Sequence, residues 1–315
     1  MKIRSIILVI LAGVAWGTSG IFVHYLAPYG FTSMQMTAMR GVVSLLSMTA
    51  FALICDRKSF RTDKIGLLLS LGSGVCLFLT ATLYYEAMQR IGIAPAVIIM
   101  YAMPVIVTIV SGVLFKEKAT ALKWLALALM LIGCALSSGL ISGIGWRFGE
   151  FNPRFNLKMD FVGLLFAVTS AITYSAYNIL TKLAARRGGN ATTMTIYCFL
   201  AVSVSAVALC NPVQLIKNIA SNVAPALPLG VGLGAVTFVL PYFLYTLGLK
   251  NLPASTASAL SVMEPVSATV FGLFLGESLS PISVIGIALA VVAVLLIVRS
   301  EKGGKSEEKC KEKSL

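Results

Sequence analysis

Residues 72–117 read GSGVCLFLTATLYYEAMQRIGIAPAVIIMYAMPVIVTIVSGVLFKE, and residues 232–277 read GLGAVTFVLPYFLYTLGLKNLPASTASALSVMEPVSATVFGLFLGE. A constant offset of 160 places Gly72 on Gly232, Gly74 on Gly234, Phe78 on Phe238 and Tyr85 on Tyr245. It also places Arg90 on Lys250, Ala94 on Ala254, Met103 on Met263, Gly112 on Gly272 and Glu117 on Glu277. Pro104 and Pro265 are related by the same shift plus one residue. Such identities, spread over two apolar stretches and the loop between them, describe a duplicated unit rather than a shared taste for leucine.

The chain around this repeat is apolar almost throughout. Of its 315 residues, 58% are hydrophobic and 12% charged, with a mean hydropathy of +0.91. Soluble domains carry about a quarter charged residues. Runs such as Ile6–Ile10, Leu125–Ile132 and Ala288–Val298 have no polar face to turn toward water. Windows of roughly 20 apolar residues predict spans at 5–27, 33–55, 65–89, 92–115, 122–141, 160–182, 191–212, 224–248, 252–275 and 281–299. The expectation is an all-α integral membrane protein of about ten transmembrane helices, in two inverted five-helix repeats. Residues 1–141 form the first repeat, 142–159 an external connecting loop and 160–299 the second repeat. Residues 300–315, of mixed charge, form a disordered cytoplasmic tail. The apolar N-terminal run continues past Trp16-Gly17 without a small-residue cleavage site, so it reads as a retained helix.

The net charge of +13 does not mark a nucleic-acid binder, because its distribution follows the membrane. With the N-terminus inside, about 19 Lys and Arg fall on inner segments and about 5 on outer ones, Arg40 lying within a span. Both termini then face the cytoplasm, and the lipid bilayer of the cell membrane is the solvent. The six cysteines form no C-x-x-C pair and have no histidine nearby, so no metal is expected. There is no phosphate-cradling G-x-x-x-x-G-K-[ST] loop either, and no cofactor is expected.

An odd number of spans per repeat inverts one half relative to the other, the architecture of secondary transporters. The motifs agree. Trp16-Gly17, Arg40, Tyr84-Tyr85-Glu86-Ala87, Pro104, Phe115-Lys116-Glu117, Glu264-Pro265-Val266 and Leu275-Gly276-Glu277 resemble the drug/metabolite transporter superfamily, in particular its EamA-type families. The resemblance covers about residues 5–299. It implies export, or less often uptake, of small metabolites such as amino acids, driven by gradients rather than ATP.

Arg40 is the least ordinary residue. About seven residues into a span, it lies roughly 10 Å below the outer boundary, where a guanidinium costs about 2.5–3.5 kcal/mol. It either binds a substrate carboxylate, gates the path or ties two helices together. The second half has Cys198 and Phe199 at the matching place. Glu264, about twelve residues into its span, reaches a depth of roughly 18 Å from the inner side, close to that of Arg40. It is read as pairing with Arg40 or carrying a coupling proton; a fixed structural pair is the alternative. Glu86 is a second coupling candidate and a second partner for Arg40. Pro104, Pro241 and Pro265 are expected to kink their helices. Trp16, Tyr85, Tyr101, Tyr174 and Tyr245, with Tyr84, Tyr177, Tyr242 and the amides Asn178 and Gln35, are candidates to line the path. His24 reads as a residue at the outer mouth. Gly13-x-x-x-Gly17 and Gly230-x-x-x-Gly234 allow close helix approach, within the chain or across a homodimer. A lipid-modifying enzyme or a lipid-flipping subunit is the rival reading, and a channel a further one. An enzyme would need an acidic or histidine-rich constellation or sizeable loops, which the sequence lacks.

Overall fold

The computed structural model describes the backbone of residues 2–55, 60–137, 160–276 and 280–312, and these residues are helical with short connections. Nine helical stretches among them are long and apolar enough to cross a membrane, and the tenth, Ala121–Ser137, is shorter within the described residues. All ten correspond to spans read from the sequence. The 142–159 loop, the last residues of the fifth span, and Glu277 with its pairing to Glu117 lie outside the described residues.

The helices are α1 (Lys2–Gly17), α2 (Ser19–Leu26), α3 (Ser33–Cys55), α4 (Lys64–Ile91), α5 (Ile93–Met100), α6 (Met103–Phe115) and α7 (Ala121–Ser137) in the first half. The second half holds α8 (Phe161–Arg186), α9 (Ala191–Leu209), α10 (Pro212–Ser221), α11 (Val223–Gly234), α12 (Leu240–Asn251), α13 (Ala254–Leu260), α14 (Met263–Phe274) and α15 (Pro281–Glu312). Their outward faces are apolar, as at Val113 (77% exposed), Phe161 (78%) and Phe274 (79%). With backbone polar groups satisfied inside helices, that is what lipid requires. Helix starts are set locally: Asp63 accepts from Gly66 N (3.0 Å), Asp160 from Val162 N (3.1 Å) and Asn190 from Thr192 N (3.2 Å).

The packing is two-fold. α4 lies along α8 as α12 lies along α1; α6 meets α8 as α14 meets α1; α4 meets α9 as α11 meets α3. The pairs α7–α15 and α3–α9 sit across the axis. Backbone geometry repeats with it. Gly30 and Gly188 take positive φ of 76° and 82°, and Lys116 and Gly276 take 55° and 84°.

Several spans are broken where continuous helices were expected. The first divides at Thr18, whose hydroxyl and N–H both turn back to Ala15 O (2.7 and 3.2 Å). The fourth and ninth break at Tyr101–Ala102 and Ser261–Val262, matching places in the two halves. The expected kinks at Pro104 and Pro265 fall just after these one-turn interruptions, through which the backbone stays in the right-handed helical region at Ala102, Ser261 and Val262. Each proline stands in the first turn of the following helix, where its missing N–H costs nothing. Pro241 follows a five-residue π-helical segment, Ala235–Val239, which widens the helix just before the lost donor. α10 is a surface helix that the hydropathy reading merged into loop. The tail expected to be disordered from Ser300 starts in order: α15 continues to Glu312, Ser300 bonds Thr120 (2.8 Å) and Glu301 meets the buried Lys123 (3.7 Å).

Candidate functional site

Between the halves lies a cavity of about 710 Å³, the size of a small-molecule site. Its walls run from mid-bundle to Met88, Ser137 and Leu275, near the helix ends farthest from the termini, and it opens on that side. The breaks described above frame it: Gly17 to His24 come from the divided first span, Tyr101 from the α5–α6 break, and Glu264 from the first turn of α14. Close contact brings these elements together. A Cβ on Gly17 would stand 2.7 Å from Ala268 N and 2.9 Å from Glu264 O, and one on Gly13 2.8 Å from Met263 Cβ. Gly230 and Gly234 likewise receive Met39 and Val43 of α3. Both glycine motifs make contacts within the chain.

Arg40 enters the cavity from α3. Its guanidinium lies over the Phe238 ring (4.9 Å to the centroid) and reaches Thr37 Oγ1 at 3.5 Å, while its buried Nε has no hydrogen-bond partner. Glu264 faces the same cavity from the second repeat, at the positive end of a half-helix, with Tyr101 on the same wall. Arg40 and Glu264 form no direct ion pair; the expected pairing is replaced by two opposite charges on the walls of one cavity. Glu86 is exposed on the outside of α4 and does not line the cavity, which removes it as a partner of Arg40.

Trp16, Tyr84, Tyr85, Tyr101, Tyr174 and Tyr242 line the cavity. Asn178 and Tyr245 do not: they are 1% exposed and bonded to each other beneath it, Tyr245 O–H donating to Asn178 Oδ1. Above them Trp16 meets Tyr242 edge-on (5.0 Å) and Tyr245 at a tilt (5.5 Å), and Tyr177 meets Tyr242 edge-on (5.7 Å), so rings packed edge to face form the floor. Gln35 lies away from the cavity, accepting from Thr32 N (3.0 Å) and Asn218 Nδ2 (3.3 Å). His24 lines the mouth. Pro265 touches the cavity; Pro104 and Pro241 are buried behind it.

The terminus-bearing side is closed by polar contacts the sequence reading missed. Glu117 accepts from Ala254 N (2.9 Å), Ser255 N (3.3 Å) and Ser255 Oγ (2.6 Å) at the start of α13. Lys123, 3% exposed, donates to Ser255 Oγ (2.8 Å) and Thr256 Oγ1 (2.9 Å) beside Glu301. Lys182, 5% exposed, donates to Leu249 O (2.7 Å) and Leu252 O. From the sequence alone both lysines belong with the basic residues at the inner ends of the spans. Their one local signal is position, each lying within rather than beyond an apolar helix.

The fold and the cavity define a polytopic membrane protein of two inverted repeats, open on one side of the membrane and shut on the other. The EamA-like transporter family model matches residues 3–139 and again 161–299, and the chain belongs to that family. It is 27% identical over 304 residues to the uncharacterized transporter YwfM of Bacillus subtilis, covering 95% of each chain. An uncharacterized transporter of Archaeoglobus fulgidus is 28% identical, covering 92% of this chain and 95% of its own. The threonine/homoserine exporter RhtA of Escherichia coli K12 is 38% identical over 79 residues, 24% of this chain and 27% of its own. A solved crystal structure superposes with a TM-score of 0.73 at 18% identity, over 94% of this chain and 96% of that one, which shows a shared fold.

Proposed function

We propose that the protein is a secondary active transporter that exports small zwitterionic metabolites, amino acids foremost, across the cell membrane. The observation that carries this reading is the cavity itself, with Arg40 from one repeat and Glu264 from the other on its walls. A substrate carboxylate satisfies the unpartnered Arg40 Nε, its ammonium faces Glu264, and Trp16, Tyr85 and Tyr242 cover an apolar side chain. The partial similarity to RhtA, itself a threonine/homoserine exporter, supports the substrate class and the direction. Residues 1–141 and 160–299 act as the two moving halves, and the basic residues gathered at the terminus-bearing ends put both termini in the cytoplasm. Glu264 carries the coupling proton. The glycine pairs that could have offered a homodimer face are occupied inside the bundle.

The test is counterflow in proteoliposomes with a labelled panel of amino acids. Saturable exchange of one class is expected, falling at least tenfold in Arg40→Ala and losing its pH dependence in Glu264→Gln. Turnover of a lipid-linked substrate without any exchange would instead establish the enzymatic rival.

A further inference from the structure

The connection between the second and third spans of the second half, from Leu209 to Val223, is longer than its counterpart in the first half, from Cys55 to Lys64, and it carries α10. The chain leaves α9 through Asn211, whose left-handed backbone (φ 54°) turns it sharply and whose side chain caps α10 by accepting from Gln214 N (3.3 Å). α9 and α11 both pack on α3, so α10 joins two helices that flank a third. Its ten residues make a rod about 15 Å long, close to the roughly 16–20 Å between the axes of helices on either side of another. Two hydrogen bonds hold it over the start of α3: Asn218 Nδ2 donates to Gly30 O (3.2 Å) and to Gln35 Oε1 (3.3 Å). α10 therefore lies across the face on which the cavity opens and not along a span.

Helical periodicity divides α10 into three faces. Leu215 and Ile219 pack into the bundle. Gln214, Asn218 and Ser221 make a polar face, on which Gln214 Nε2 donates to Asn218 Oδ1 (2.9 Å). The third face carries Val213, Ile216, Lys217 and Ala220, all exposed, Val213 at 64% and Ile216 at 66%. A helix between protein and water needs one apolar and one polar face; a second apolar face calls for a second apolar environment. Leu209 at the end of α9 and Val223 and Leu227 at the start of α11 are exposed too, so the stripe continues the lipid-facing surface of the spans it joins. Lys217, the one ionisable residue of α10, stands where the stripe borders the polar face. There its stem can lie along acyl chains while its ammonium reaches a phosphate. A stable protein partner would bury about 800 Å² on each side, far more than this narrow stripe offers.

We propose that α10 is an interfacial helix whose partner is the phospholipid leaflet on the open side of the cavity, with Val213, Ile216 and Ala220 among the acyl chains and Lys217 at the phosphates. Through Asn218 it braces the Gly30–Gln35 turn against that leaflet. Arg40 follows Gln35 on α3 by less than two turns, so the cavity mouth takes its position from the membrane as well as from the bundle. The inference adds a lipid contact to the transporter reading without depending on it.

The test attaches bimane to single cysteines, in a protein whose native cysteines are replaced, reconstituted in liposomes of phosphatidylglycerol and phosphatidylcholine. Labels at Val213→Cys and Ile216→Cys should be quenched about twofold more strongly by lipids brominated near the glycerol than by lipids brominated near the chain ends, as a depth of about 5–10 Å requires. Aqueous iodide should reach them far less than it reaches Gln214→Cys. A label at Leu46→Cys, exposed midway along α3, should respond most to the deep bromines and so show that the protein is folded and inserted. In Asn218→Ala the Ile216 label should stay quenched by lipid, while iodide quenching of a label at Ser33→Cys rises about twofold as the turn loses its brace. Iodide access at Ile216 equal to that at Gln214 would overturn the lipid contact. So would Val213 and Ile216 labels shielded from bromines and iodide alike, as a second copy or another protein would shield them. An unchanged Ser33 label would overturn the brace. No substrate enters the measurement, so its outcome is separate from that of counterflow.

Discussion

Glu117→Gln should shift the protein away from the state in which the cavity is open. In that state the Glu117 carboxylate receives two backbone N–H groups and one hydroxyl at the start of α13, at 2.9, 3.3 and 2.6 Å. It joins the α6–α7 connection of the first half to the ninth span of the second. Hydrogen bonds to a charged group contribute about 1.5–3 kcal/mol each, and the helix N-terminus adds a favourable dipole. Glutamine keeps one carbonyl acceptor and turns an amide toward donors, so the net loss is about 2 kcal/mol. At 1.4 kcal/mol per tenfold, this corresponds to a change of about 30-fold in the ratio of the two orientations. The assay is the rate at which a cysteine at Thr269, on the cavity wall, reacts with an impermeant thiol reagent from the open side. The rate should fall in Glu117→Gln while Glu117→Asp keeps part of it. An unchanged rate in a variant with unchanged melting behaviour would refute the reasoning, because the contact would then persist in both orientations.

Gly17→Val should cost several kcal/mol of stability through the added Cβ that meets Ala268 N and Glu264 O, whereas Gly20→Ala, with open space around it, should be neutral or slightly stabilising; thermal melts in detergent compare them. Lys182→Met should lower stability by roughly 2–4 kcal/mol, because the carbonyls of Leu249 and Leu252 lose their buried donor; the same melts measure it. Hydrogen bonds from Arg187 and Arg90 hold the carboxyls of Asp63 and Asp160 below their usual value of 3.8. Because folding lowers these pKa values, their contribution is present above about pH 4 and lost as pH falls through the depressed values. An Asp63→Asn/Asp160→Asn variant should show a flatter stability profile between about pH 2 and 4 than the parent, and an identical profile would remove these pairs as its cause.

How much was legible varies with the reach of the forces involved. The ten spans, the repeat and its inversion could be read from the chain. A bilayer imposes one local criterion, a run of apolar residues that satisfies its own backbone, on every crossing segment. Glycine spacing likewise marked Gly13 and Gly17 as contact points, since only a missing side chain permits such approach. Arg40 and Glu264 stood out because a charge at depth is costly wherever it points. Which way each points was not legible. Glu86, one residue beyond the cavity-lining Tyr84–Tyr85 pair, faces outward, and Asn178 and Tyr245 satisfy each other below the floor instead of meeting the cavity.

The sequence by itself determined the solvent, the crossings and the duplication, because each of these depends on apolar runs and spacings along the chain. Only the tertiary structure decided that the spans break at Thr18, Tyr101–Ala102 and Ser261–Val262, and that Arg40 and Glu264 face one cavity without pairing. It also decided that Lys123 and Lys182 are buried donors rather than loop cations. Those outcomes depend on partners such as Leu249 for Lys182 or Ser255 for Lys123, 67 and 132 residues away along the chain, and local hydropathy carries no record of groups brought together from such a distance.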